Sequence, residues 1–139
     1  MLSALLVILF GLPKMKYFSN GIYFCKTITG HGRGEGLGFP TINLIIPNNF
    51  PFKFGIYAGW IIIGESKIKA AIHYGKIPTF KTKNVSLEVY AINAQINQRP
   101  EEVGIQIVQK IRDIKKFNKP TDLKKQIALD IKKIRLIIQ

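Results

Sequence analysis

Between Gly30 and Asn43 the chain reads GHGRGEGLGFPTIN, five glycines alternating with other residues and closing on Pro40-Thr41-Ile42-Asn43. Glycine tolerates positive φ and lets backbone approach a ligand closely. A run of such residues can aim its N–H groups at one point and form a nest for an anion. Arg33, set among the glycines, adds a fork of donors suited to phosphate. Thr41 and Asn43 offer a hydroxyl and an amide oxygen at i and i+2, which face the same way in an extended chain. Two hard oxygen donors beside a phosphate nest are what a Mg²⁺–nucleotide complex needs. The run is neither a Walker A loop, since no Gly-Lys-Ser/Thr follows, nor a Gly-x-Gly-x-x-Gly dinucleotide fingerprint. From spacing alone, a phosphate site and a plain flexible linker stand as equal readings.

Glu88 is the second chemical candidate. It lies in Ser86-Leu87-Glu88-Val89-Tyr90, where Leu87 and Val89 would point to a core and Glu88 away from it. Glutamate is depleted from strands, so a mid-strand carboxylate is either a general base in a cleft or a solvent-facing residue. A further loop, Gly75-Lys76-Ile77-Pro78-Thr79-Phe80, carries turn residues with a lysine and a threonine. Trp60, Phe80 and Phe117 could stack on a planar ligand or belong to the core. Arg33 and Arg112 are the best anion contacts among the basic residues, with a surface role as the alternative.

These residues need elements to hold them. Six short β-rich runs are expected at Ile22–Ile28, Ile42–Ile46, Ile56–Ile63, Lys67–His73, Leu87–Asn93 and Ile105–Ile111. Gly64-Glu65-Ser66 reads as a tight hairpin connection, and Pro47–Pro51 as a loop. Ile107, Ile111 and Ile114 also fit a helical face, so period alone does not settle the last run. Leu123, Ile127, Ile131, Ile134 and Ile138 trace one face of a helix, with Lys124, Lys125, Lys132 and Lys133 on the other. Thr121 is the expected N-cap, and Asp122 suits the positive helix end. Close-set strands without intervening helices imply an all-β, six-stranded antiparallel barrel or sandwich with a C-terminal α-helix.

The chain has 139 residues, 47% of them apolar, enough for one domain with a core of its own. One cysteine, Cys25, excludes an internal disulfide and fits a reducing, cytoplasmic setting. Two histidines, His31 and His73, are too few and scattered for a zinc site. The net charge of +13, with ten basic residues after position 109, raises the possibility of a polyanion partner. The lysines are spread along the tail without interleaved aromatics, so nucleic acid is not expected. Residues 1–14 begin with an apolar run, MLSALLVILFGL, too short to span a bilayer. They are expected to be an extension outside a domain at 15–139, or a start placed too early, with a weak membrane-associating segment as the second reading and no stable membrane insertion.

Taken together, GHGRGEGLGFPTIN, GIYAGW at Gly55–Trp60, AAIHYGKIPTF at Ala70–Phe80, LEVYAIN at Leu87–Asn93 and IRDIKKF at Ile111–Phe117 resemble the riboflavin kinase (flavokinase) family. The Gly-x-Pro-Thr-x-Asn element is highly specific to it. In bacteria the family often forms the C-terminal module of bifunctional riboflavin kinase/FAD synthetase. The resemblance implies a riboflavin-kinase-like barrel that transfers the ATP γ-phosphoryl group to the 5′-hydroxyl of riboflavin, giving FMN and ADP. It implies that Gly30, Gly32, Arg33, Gly34 and Thr41 hold the ATP phosphates and that Thr41 and Asn43 bind Mg²⁺. Glu88 would take the hydroxyl proton, and Arg112 and Phe117 would lie near the flavin. A monomer is expected, and FAD synthesis by this chain is not.

The sequence departs from the family pattern in three places. Asn93-Ala94-Gln95-Ile96-Asn97-Gln98 lacks the Asp…Tyr-Gly turn that often follows the glutamate strand. His73 stands where many bacterial members have Asn, and Gly36 where some carry Lys. A flavin- or nucleotide-binding module without catalysis is therefore the second reading, and a basic barrel that binds nucleic acid the third.

Overall fold

A computed structural model describes residues 21–80 and 83–139. The expectations for residues 1–14, and for the Phe80 side chain, lie outside the described residues. Six strands form a closed antiparallel barrel: β1 (Ile22–Ile28), β2 (Ile42–Leu44), β3 (Gly55–Ile63), β4 (Ser66–Gly75), β5 (Ser86–Ala91) and β6 (Glu102–Arg112). Around the barrel their order is β1-β2-β5-β4-β3-β6. A helical turn, α1 (Arg33–Gly36), interrupts the glycine stretch, and α2 (Pro120–Ile137) ends the chain. A single 3₁₀ turn covers Pro78–Phe80.

Alternation along the strands builds the interior. Leu44, Ile61, Ile72, Leu87, Val89, Val103 and Ile105 are fully buried inside the barrel. Tyr23, Phe50, Phe52 and Tyr74 pack against them, joined edge to face. Gly64, at φ +58, opens the β3–β4 hairpin, where a two-residue turn needs positive φ at its first position. The third residue of the expected connection, Ser66, already belongs to β4.

A second apolar layer lies on the outer face, where Ala58, Ile92 and Ile111 meet Ile131, Ile134 and Ile138 from the end of the chain. Burial of each of these isoleucines stabilises by roughly 1.5–3 kcal/mol. This explains the near-continuous apolar run of β3, GIYAGWIII: its middle is covered on both sides. It also resolves the ambiguity of Ile105–Ile111. The segment is strand throughout, but its pairing with β3 is irregular at Ile56/Tyr57 and Ala58/Gly59. Such irregularity changes which side chains face inward. Ile105 thus fills the interior while Ile111 lies under α2, which breaks the period of two. At Gly59 a Cβ would stand 2.3 Å from the Gln106 carbonyl oxygen, so no larger residue fits there.

The start of α2 differs from expectation. Lys119, not Thr121, is the N-cap, and no side chain caps it. Pro120 occupies the first turn, where its missing N–H costs nothing and its fixed φ suits the helix.

The helix is fastened to the barrel by one ion pair. Arg112 Nε lies 3.0 Å from both oxygens of Asp130, and its Nη2 donates to Oδ2 at 2.8 Å. Gln126 adds a bond to Oδ1 at 3.0 Å. Asp130→Ala would leave a sheltered guanidinium unpaired. It is expected to lower stability by about 3 kcal/mol in denaturant unfolding, whereas Lys124→Ala, on the exposed face, should change it by less than about 0.5 kcal/mol.

Candidate active site

The pairing register sets the site. Asn43 of β2 stands opposite Glu88 of β5, Glu88 opposite His73 of β4, His73 opposite Ile56 of β3, and Ile56 opposite Arg112 of β6. Residues directly opposite in a ladder share a face. This row therefore crosses five strands on the outside of the barrel, because the neighbours Ile42, Leu44, Leu87, Val89 and Ile72 fill the inside. Glu88 stands between Asn43 and His73 in it, with its side chain only 14% exposed.

A sheltered carboxylate needs donors, and Glu88 has one on each oxygen. Thr41 Oγ donates to Oε1 and Ser86 Oγ to Oε2, both at 3.1 Å. His73 Nδ1 lies 3.8 Å from Oε2, and its Nε2 lies 3.2 Å from the Lys76 carbonyl oxygen. Burial pushes the His73 imidazole below its ordinary value, so it is neutral near pH 7.

Three cavities lie on this side of the barrel, two of them lined by the Glu88 carboxylate and the third reached through Thr41. An apolar one of about 120 Å³ lies between the outer face of the barrel and α2, lined by Ile56, Ala71, Tyr90, Leu123 and Ile127, with Glu88 and Arg112 at its edge. A more polar one of about 310 Å³ is lined by Thr29, Gly30, Gly32, Thr41, Asn43 and Arg99. A small cleft of about 40 Å³ is lined by His31, Arg33, Asn43, Ser86 and Glu88. Thr41 borders the first two, and Glu88 borders the first and third.

The glycine stretch is not an open nest along its whole length. Gly32, at φ +69, caps the turn of α1. The amides of Gly36, Leu37, Gly38 and Phe39 bond to carbonyls of Gly32, Arg33, Gly34 and Glu35, so these four are engaged within the loop. Of its glycines, Gly30 and Gly32 line the polar cavity and Gly34 the apolar one, where Leu37 and Phe39 add apolar wall. Gly30 has its own reason to lack a side chain. A Cβ there would stand 2.0 Å from Asn43 Nδ2.

The structure brings Gly30, Gly32, Arg33, Gly34, Thr41, Asn43 and Glu88 around adjoining cavities. Arg112 lines the apolar cavity, but its guanidinium is engaged by Asp130 and by the Asp113 carbonyl oxygen. Phe117 lines none of the three. Its amide bonds to Thr79 Oγ at 3.0 Å, and its ring lies 5.9 Å from the Arg112 guanidinium. Trp60 packs in the outer apolar layer with Lys67 over its ring, and so is not a ligand platform. Sequence reasoning missed Ser86, Tyr90 and Arg99. Ser86 shares the face of Glu88 at i−2, a signal available in the strand period. Arg99 carries no such signal. It reaches the polar cavity by donating to Thr29 Oγ at 2.9 Å across seventy positions.

A divalent cation finds a partial set of donors here. Among the described residues, no group of three or more His, Cys, Asp or Glu side chains could hold a metal alone. The hydroxyl of Thr41 and the amide of Asn43 are hard oxygen donors beside a cavity, which suits Mg²⁺ arriving with phosphate oxygens that complete its shell. Among the described residues, no helix is long and apolar enough to cross a membrane.

A closed six-stranded barrel with a covering helix thus holds a sheltered carboxylate beside a glycine turn. The riboflavin kinase (flavokinase) family model matches residues 15–138, and the chain belongs to that family. It is 34% identical over 117 residues to a bifunctional riboflavin kinase/FMN adenylyltransferase of Buchnera aphidicola subsp. Acyrthosiphon pisum, covering 82% of this chain and 36% of that protein. The protein of the same description from Haemophilus influenzae is 32% identical over 110 residues, covering 78% and 35%. The chain thus spans about a third of the length of these curated relatives. Among solved structures, one described as a macrolide-efflux protein from Streptococcus pneumoniae superposes with a TM-score of 0.73 at 25% identity, covering 85% of this chain and 39% of that one. Riboflavin kinase from Trypanosoma brucei, at a TM-score of 0.56 and 21% identity over 85% and 80% of the two chains, shares the fold.

Gly30→Ala separates fold from site. The added methyl meets the end of a side chain, not backbone, so the barrel should melt within a few degrees of wild type. The Asn43 side chain should move, which its amide NMR resonances would report.

Proposed function

We propose that the chain is a riboflavin kinase that moves the γ-phosphoryl group of ATP to the 5′-hydroxyl of riboflavin, releasing FMN and ADP. The observation that carries this reading is the position of Glu88, bonded to Thr41 and opposite Asn43, between an apolar cavity and the glycine turn.

The apolar cavity suits the flat flavin ring, with Tyr90 and Ile127 among its walls. At about 120 Å³ it takes part of the ring system, so the remainder lies across its mouth unless α1 and α2 part on binding. The polar cavity suits the nucleotide. Ile28, Ile42, Ala94 and Ile96 offer an apolar wall for the base, and Gly30, Gly32 and Arg99 lie where the phosphates would run. Mg²⁺, when bound with the nucleotide, would neutralise phosphate charge; Thr41 and Asn43 are the residues that would hold it.

In this arrangement Glu88 accepts the proton of the 5′-hydroxyl as that oxygen attacks the γ-phosphorus. The bond from phosphorus to the bridging oxygen breaks, and ADP carries away the electron pair. Such chemistry asks the protein mainly for alignment and charge neutralisation. Thr41 and Ser86 keep the carboxylate aimed by bonding both of its oxygens.

Purified protein with riboflavin, ATP and Mg²⁺ should form FMN, resolved by chromatography. Glu88→Gln should lower kcat about 10²–10⁴-fold with the fold retained. Riboflavin binding without any FMN would contradict the kinase reading and favour a binding module. Arg99→Ala should raise KM for ATP about tenfold or more, the scale of one lost charged hydrogen bond, and leave KM for riboflavin unchanged.

A further inference from the structure

His73 is buried beside Glu88 and has no part in the mechanism above. Both of its ring nitrogens face oxygen acceptors. Nε2 meets the Lys76 carbonyl, and Nδ1 points toward Glu88 Oε2 without a hydrogen-bond partner. A neutral imidazole carries one proton and can serve only one of the two; an imidazolium serves both. The closer contact, 3.2 Å to Lys76 against 3.8 Å to Glu88, assigns the single proton to Nε2. The Nδ1 lone pair is then left beside the carboxylate.

We propose that His73 is a positioning residue for Glu88: as the neutral ring it leaves the carboxylate to its Thr41 and Ser86 bonds, and as the imidazolium it captures the carboxylate in an ion pair that withdraws it from substrate. The proposal rests on the reading of Glu88 as the proton acceptor.

The surroundings set which form prevails. Burial pushes the ring down from 6.5; Glu88 on β5 and the Lys76 carbonyl pull it up, and Arg112 on β6 pushes it down. Asp130 of α2 faces Arg112 and holds its guanidinium. Arg33 of α1 and Tyr90 of β5 line the same apolar cavity as His73. The ring is therefore neutral at neutral pH. Protonation of the ring in acid turns Nδ1 into a donor that faces Glu88 Oε2. Activity should be present above that titration and fall as pH drops through it.

Two measurements test this. The first is the pH profile of kcat/KM for riboflavin in wild type and His73→Asn, a variant that keeps a polar side chain but cannot become a cation. As pH falls through the titration of the His73 ring, the variant should retain at least about threefold more of its own activity than wild type does, because it has no imidazolium to form. Superimposable profiles would overturn the proposal. The second needs no turnover: the His73 ring resonances are titrated by NMR in wild type and in Glu88→Gln. Loss of the neighbouring carboxylate should move the His73 titration to lower pH, and an unmoved titration would overturn the proposal. If wild type makes no FMN while the ring titration still responds to Glu88→Gln, the kinase reading fails and the pairing of the two side chains stands.

Discussion

A carboxylate turned outward from a barrel, yet kept from water, constrains everything around it. Glu88 needs donors on both oxygens, and the fold supplies Thr41 from the segment before β2 and Ser86 from its own strand. Those bonds fix the carboxylate between the apolar cavity and the small cleft, with its partner Thr41 bordering the polar cavity. They also fix where the glycine stretch must lie, since Thr41 is its continuation. The close approach of Gly30 to Asn43 then keeps the turn against the same strand. Sheltering the carboxylate, and not the glycines alone, makes this face of the barrel a site.

The shelter itself depends on α2. Its apolar side covers Ala58 and Ile111 on the outer face, and the Arg112–Asp130 pair locks the middle of the helix to the end of β6. The apolar cavity is the space left between helix and barrel, bounded by residues on both, Ile56 and Ala71 below, Leu123 and Ile127 above. Arg112 thus serves packing first. An arginine expected beside a ligand is found at the cavity edge, but its charge is matched by an aspartate from within the chain.

Much of this was legible in the letters. The alternation of apolar residues located all six strands, with Ile22–Ile28 matching end to end, and the i, i+3, i+4 pattern located α2. Thr41 and Asn43 could be singled out because they place two oxygens at i and i+2 just after the glycine run, and Glu88 because glutamate is depleted from strands. What failed depended on tertiary geometry. The N-cap at Thr121 was overridden by Pro120, whose rigid φ starts the helix two residues earlier. The alternation of β6 was broken by its irregular pairing with β3, which no single-chain period can reveal. Arg99 reaches the cavity only because the β5–β6 loop folds back to Thr29. His73 read as an isolated histidine because its neighbour Glu88 is fifteen positions away in sequence and adjacent only through the ladder.

The central claim is that Glu88 stands where a flavin hydroxyl and a nucleotide phosphate meet. A crystal structure with riboflavin and a non-hydrolysable ATP analogue tests it most directly. The account expects the 5′-oxygen within hydrogen-bond distance of the Glu88 carboxylate, the flavin ring between the barrel and α2, and the terminal phosphate beside Thr41 and Asn43. A flavin bound on another face of the barrel, or a hydroxyl aimed away from Glu88, would contradict it.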